Sequence, residues 1–84
     1  MATLRIGELA RLAGISVRTL HHYDAIGLLH ASARSTSGYR CYDGNDAIRL
    51  QQILFYREME MPLQRIKAVV VLSWAFIHDR SIRS

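Results

Sequence analysis

Residues able to grip an anion cluster in the first half of this chain. Ser16, Arg18, Thr19, His21, His22 and Tyr23 fall in one short stretch, and Arg34, Tyr39 and Arg40 follow after an interval. A guanidinium keeps its charge at any ordinary pH and fits both a phosphate and the acceptor edge of guanine. Serine and threonine hydroxyls donate to phosphate oxygens without reading sequence. The surrounding charge agrees. Up to Tyr42 the chain holds Arg5, Arg11, Arg18, Arg34 and Arg40 against only Glu8 and Asp24, whereas from Asp43 onward basic and acidic residues nearly balance. The excess, in a chain of 84 residues with a net charge of +4, sits where the hydroxyls sit. Such a distribution implies a polyanionic partner more than it implies general solubility.

Other chemistry is less well served. His21 and His22 are adjacent, and neighbours on a helix diverge by about 100°. With His30 and Cys41 they show neither the i, i+4 nor the Cys-x-x-Cys spacing of a zinc site, so neither a metal nor any cofactor is expected. No acid–base pair or cleft-forming architecture points to an enzyme in so short a chain. Cys41 is the only cysteine. It predicts a reducing compartment and a small core side chain on the inner face of a strand. Arg5, Glu8 and Arg11 interrupt the N-terminal apolar residues, and the run from Ala68 to Ile77 is about half a membrane span. A soluble, cytoplasmic protein is expected, with no membrane contact.

The elements that must position these residues follow from periodicity. Ile6, Leu9, Ala10 and Ala13 recur at helical spacing, and Gly14 stops that helix in the left-handed region. Ser16 caps a second helix whose inner side is Val17, Leu20 and Tyr23 or Asp24, and Gly27 ends it. The stretch Ala31–Gly38 is small and polar, and Tyr39-Arg40-Cys41-Tyr42 then alternates. Two short strands are predicted near 29–32 and 39–42, with a flexible tip between. Asp43 and Asp46 have the spacing of a capping box, opening the longest helix with Ala47, Leu50, Ile53, Leu54 and Arg57 along one face. Pro62 suits a first turn, so a fourth helix starts there with Leu63, Ile66, Val70 and Trp74 inside. The expected fold is mainly α, with about four helices and a short β-hairpin.

The spacing Ala10, Gly14, Leu20 sharpens this into a helix-turn-helix. Two helices crossing steeply need a small residue at their contact, a turn residue tolerant of positive φ, and an aliphatic anchor one turn into the second helix. Arg18, Thr19, His21 and His22 then point away from the packed side, where the second helix would enter a major groove. Tyr23 divides between a buried ring and a hydroxyl reaching the DNA backbone. Arg40 projects opposite Tyr39 and Cys41 and would clamp a flanking phosphate, with Arg34 nearer the tip.

These residues resemble a known family. Arg5-Ile-Gly-Glu-Leu-Ala, Gly14-Ile-Ser-Val-Arg-Thr-Leu-His-His-Tyr-Asp-Ala-Ile-Gly-Leu-Leu29, Gly38-Tyr-Arg-Cys-Tyr-Asp43 and Leu50-Gln-Gln-Ile-Leu-Phe-Tyr-Arg-Glu58 look like the N-terminal domain of MerR-type transcription regulators. His21-His22 is similar to the thiostrepton-induced, TipA-like branch. The resemblance covers 3–72, with the helix-turn-helix over about 6–25 and the wing over about 29–42. It implies a winged helix-turn-helix acting as a homodimer on double-stranded promoter DNA, in the context of RNA polymerase. Bending and untwisting an over-long promoter spacer costs several kcal/mol, which two wings and two recognition helices must offset. By position, Arg18 and Thr19 match recognition-helix contacts, while Tyr23, Tyr39 and Arg40 match residues that hold the phosphate backbone.

The departures carry expectations too. Glu60 stands where the family usually has glycine, at a cost of about 1 kcal/mol if φ is positive there. Ala31 replaces a common proline. The stretch 73–84 is apolar and basic without the heptads of the family's dimerisation helix. A competing reading therefore makes the chain a truncated interaction module that modulates a full-length homologue through its apolar end.

Overall fold

The computed structural model describes residues 3–72. It forms two compact units that meet in sequence between Gln51 and Gln52. The described elements are α1 (Ile6–Ala13), α2 (Val17–Ala25), β1 (Ala33–Arg34), β2 (Arg40–Cys41) and α3 (Gly44–Glu58), followed by a helix over 63–72, α4. Among the described residues the chain adopts the expected mainly helical fold, with four helices and a two-stranded hairpin.

In the first unit each helix boundary has a local cause. The Glu8 carboxylate accepts the Arg5 N–H at 3.0 Å and opens α1, which buries Leu9 and Ala10. At its end Gly14 takes φ 71°, so that Ile15 N–H donates to the Ala10 carbonyl at 3.0 Å and Gly14 N–H to that of Arg11 at 3.3 Å. This pair of bonds uses up carbonyls the helix leaves open, and it requires a left-handed residue in the middle. Ser16 caps α2 by accepting the Thr19 N–H at 3.0 Å. The same termination closes α2: Gly27 has φ 75°, and Leu28 N–H donates to the Tyr23 carbonyl at 2.8 Å.

Leu20, Tyr23, Leu28, Leu29, Cys41, Tyr42 and Leu50 are buried and, with Leu9 and Ala10, make the core of this unit. Val17 departs from its expected inner position and is 37% exposed. It lies in the first turn, ahead of the point where α2 meets the core.

The hairpin is shorter than expected and shifted. Ala33 pairs with Cys41 and Arg34 with Arg40, antiparallel. Residues 29–32 are not a strand, because Leu28 and Leu29 are both buried and both donate to the Tyr23 carbonyl, as the tail of the α2 cap. A strand would turn one of them outward. The tip is a closed turn in which Gly38 N–H donates to the Ser35 carbonyl at 2.9 Å and Ser35 N–H to that of Tyr39 at 2.8 Å. Beyond β2 the chain pairs again: Leu4 N–H donates to the Tyr42 carbonyl at 2.9 Å and Tyr42 N–H to that of Leu4 at 2.7 Å. The return strand thus runs between β1 and the segment that precedes α1.

The capping box on α3 forms as expected. Asp46 N–H donates to Asp43 Oδ1 at 2.9 Å and Asp43 N–H to Asp46 Oδ2 at 3.0 Å. The same Asp46 oxygen accepts Ser32 N–H at 3.0 Å and the Ser32 hydroxyl at 2.6 Å, tying the start of the wing to the start of α3.

In the second unit Ile53, Ile66 and Val70 are buried. The helix α3 ends like the first two, with Met61 N–H on the Tyr56 carbonyl at 3.2 Å and Glu60 N–H on that of Arg57 at 2.9 Å. Here the left-handed residue is Glu60, at φ 60°, as its place in the pattern predicts. The Pro62 carbonyl then accepts the Ile66 N–H at 3.0 Å and starts α4. Trp74 and the stretch 73–84 lie outside the described residues. Among those described, no helix is long and apolar enough to cross a membrane.

Candidate nucleic-acid interface

The second helix presents its polar side outward. Ser16, Arg18, His21 and His22 are exposed and Thr19 is half-buried, while Leu20 and Tyr23 anchor the opposite side. Ser16 Oγ and Thr19 Oγ1 stand 2.9 Å apart in a mutual hydrogen bond. One hydroxyl proton is therefore committed locally, and the other is free for an external acceptor. Tyr23 is only 4% exposed, so of its two expected roles the packing one is fully realised. Its ring lies tilted against His22 at 6.4 Å between centroids.

Hairpin register places Arg34 directly opposite Arg40. Residues paired across an antiparallel ladder share a face, so both cations stand on one side of the wing. Two like charges there repel, and local acceptors answer only part of that repulsion. Arg34 Nη1 donates to the Gly38 carbonyl at 3.3 Å. Arg40 Nη1 lies 3.6 Å from Asp24 Oδ2, on the last turn of α2. The other Asp24 oxygen bonds His30 Nδ1. Asp24 therefore ties the cationic face of the wing to the end of the exposed helix. With Arg40 64% exposed at its side chain, the tie restricts it without covering it.

On the other side of the wing, Arg5 lies over the Tyr39 ring, 4.1 Å from its centroid. Behind the hairpin, burial pushes the Tyr42 hydroxyl above the usual tyrosine pKa, helped by the charges of Asp24 and Asp46 and opposed by Arg40. Burial also lowers the Arg49 pKa, against the pull of Asp46, and Arg49 Nε is buried without a hydrogen-bond partner among the described residues. Cys41 is buried and in no disulfide, its thiol 3.5 Å from the Tyr39 carbonyl. No three His, Cys, Asp or Glu side chains among the described residues converge where they could hold a metal ion.

The expected residues thus fall into two groups within the first unit: Ser16, Arg18, Thr19, His21 and His22 along α2, and Arg34, Tyr39 and Arg40 on the wing. Sequence reasoning missed Asp24 and His30 as the link between the groups, and Arg5 as the partner of Tyr39. The Asp24–Arg40 and Arg5–Tyr39 contacts depend on strand register and on the Leu4–Tyr42 pairing, neither of which has a local signal.

The family model described as "MerR family regulatory protein" matches residues 5–42. The HTH-type transcriptional regulator SkgA of Caulobacter vibrioides is 54% identical over 70 residues, covering 83% of this chain and 28% of that protein. The HTH-type transcriptional activator TipA of Streptomyces coelicolor is 55% identical over 65 residues, 77% of this chain and 26% of that protein. The chain thus spans about a quarter of the length of these relatives. A crystal structure of SkgA from Caulobacter crescentus superposes with a TM-score of 0.76 at 42% identity, covering 99% of this chain and 70% of that one. The structure of HiNmlR, a MerR family regulator lacking the sensor domain and bound to promoter DNA, matches with a TM-score of 0.74 at 29% identity, over 86% of this chain and 55% of that one.

Proposed function

Because the chain belongs to the MerR family of regulatory proteins, we propose that it binds double-stranded promoter DNA as the reading head of a transcription regulator. The observation that carries this reading is the Asp24 tie. It sets two wing arginines, facing one way, beside the end of a helix whose exposed side bears Arg18, His21 and His22. In the proposal α2 enters the major groove and Arg18 reads a base edge. Ser16 and Thr19 hold phosphates near its N-terminus, and the wing holds the flanking backbone through Arg34, Tyr39 and Arg40. Tyr23 contributes at most its hydroxyl, and His21 and His22 line the groove. The DNA-binding domain is residues 3–72.

Homodimerisation on a two-fold operator and action beside RNA polymerase belong to the same proposal, as does a cytoplasmic location. HiNmlR, a MerR family regulator lacking the sensor domain and bound to promoter DNA, matches over 86% of this chain and supports the DNA-binding reading.

The test is an electrophoretic shift assay on the promoter upstream of the chain's own gene at low salt. Arg18→Ala is expected to cost about 1–3 kcal/mol and to relax sequence preference at one position. Arg40→Ala is expected to weaken all sequences alike and to flatten the salt dependence. Identical behaviour of the two variants would refute the division of roles. Absence of binding by the wild-type chain at micromolar concentration would refute the function.

A further inference from the structure

We propose that Arg5, stacked on Tyr39, is a further phosphodiester-binding point on the opposite side of the wing from Arg34 and Arg40. The inference rests on the DNA-binding reading and adds a residue that reading did not include. Arg5 lies just before α1, far in sequence from the wing, yet its guanidinium sits 4.1 Å above the Tyr39 ring.

Both partners are held from behind. The Arg5 N–H is bound by Glu8 at 3.0 Å, and its carbonyl accepts the Leu9 N–H at 3.0 Å. Leu4, its neighbour, is paired through two hydrogen bonds with Tyr42. Tyr39 N–H donates to Ser35 Oγ at 3.1 Å, and the Tyr39 carbonyl is taken by Ser35. Neither backbone has to be ordered when a ligand arrives.

The stacking geometry decides what Arg5 can still do. With its Cζ 4.1 Å from the ring centroid, the guanidinium is held by cation–π attraction and not by a hydrogen bond, so the ring does not consume its N–H donors. Among the described residues no carboxylate pairs with that guanidinium, since the ion pairs there join Asp24 to His30 and Arg40. Glu8, the nearest acid in sequence, is engaged with the backbone N–H. Tyr39 is 54% exposed, so the stack stands in solvent. An oriented cation with unused donors, on a wing whose other face carries two more cations, suits a second backbone phosphate. Tyr39 then acts as a platform for the guanidinium.

The full chain is titrated against a fluorescein-labelled duplex of random sequence, by anisotropy over a series of low salt concentrations. A random duplex suffices because phosphate contacts do not depend on sequence. Arg5→Ala is expected to weaken binding severalfold and to reduce the slope of log K against log salt by about 0.9, one phosphate's worth. Arg5→Lys keeps the slope, since lysine also displaces a counter-ion, but loses part of the affinity with the stack. Tyr39→Leu weakens binding, and adding Arg5→Ala to it costs less than Arg5→Ala alone. Thermal melts confirm that each variant folds, and Arg5→Lys carries the test if the alanine variant does not. An unchanged slope for Arg5→Ala would make Arg5 a brace for the wing and overturn the inference, as would full additivity of Arg5→Ala and Tyr39→Leu. If the wild-type chain shows no salt-dependent binding, the DNA-binding reading itself fails.

Discussion

Replacing Glu60 with glycine is expected to stabilise the protein by about 1 kcal/mol. The cap on α3 repeats the bonds that close α1 and α2, but its left-handed position, at φ 60°, holds an L-residue with a full side chain. That conformation costs such a residue roughly 1–2 kcal/mol, because Cβ crowds the following carbonyl. Glycine removes the cost but gives the unfolded chain more freedom, a loss of about 0.4–1 kcal/mol. The carboxylate also lies at the negative end of the helix dipole, so its removal returns roughly 0.3 kcal/mol at an exposed site. Glu60 is exposed, so little packing is lost. The sum is a gain near ~1 kcal/mol, or roughly 4–8 °C in melting temperature for a chain of this size.

Urea denaturation followed by circular dichroism measures it, with the slope against denaturant unchanged between variants. Glu60→Ala is the control, since it removes the charge and keeps the Cβ. It should shift stability by less than about 0.5 kcal/mol. A gain from alanine equal to that from glycine would put the effect in the charge and refute the backbone argument. A loss with glycine would refute it outright.

Asp46→Ala should destabilise by about 2–3 kcal/mol in the same assay, because a nearly buried carboxylate accepting from Ser32 and Asp43 is lost. Ser16→Ala, which removes a single exposed cap, should cost about 1 kcal/mol. Tyr42 has a raised pKa, so its contribution is complete below the ordinary tyrosine value of 10.0 and is lost as pH rises above it, because the unfolded chain ionises first. Alkaline melts should therefore fall more steeply for the wild type than for Tyr42→Phe, and parallel curves would exclude the effect. Cys41 should react with a thiol reagent at a rate set by opening of the fold, slow in buffer and fast in urea. Rapid labelling of the native protein would contradict its burial.

What could be read from the sequence was what neighbouring residues decide. Ser16, the Asp43–Asp46 box, Gly14, Gly27 and the left-handed demand at Glu60 are caps, and a cap is settled by bonds a few residues long. The burial of Leu9 on α1, Leu20 on α2, and Leu50 and Ile53 on α3 was legible for the same reason, since helical spacing sets which side chains share a face. The strands were less so. Leu28 and Leu29 are apolar for a cap's sake, and an apolar pair beside a polar tip reads as a strand until the Tyr23 carbonyl is seen to bind both. The links between Asp24 and Arg40, and between Arg5 and Tyr39, come from pairings distant along the chain. The residues of the interface could be named from the sequence, but the way they are fastened together could not.

The pairing of Leu4 with Tyr42 has a practical consequence for anyone preparing this protein. The segment at Leu4 stands alongside the return strand of the wing, next to the stacked arginine. A polyhistidine tag fused there would hang beside the proposed interface and add its own attraction for nucleic acid, steepening salt dependence and blurring single-residue effects. Trimming back past Leu4 would strip the return strand of one flanking partner and loosen the wing. Removing any appended sequence without shortening the chain is therefore a condition for interpretable binding measurements, and titrations made with the tag in place would overstate the affinity of the domain.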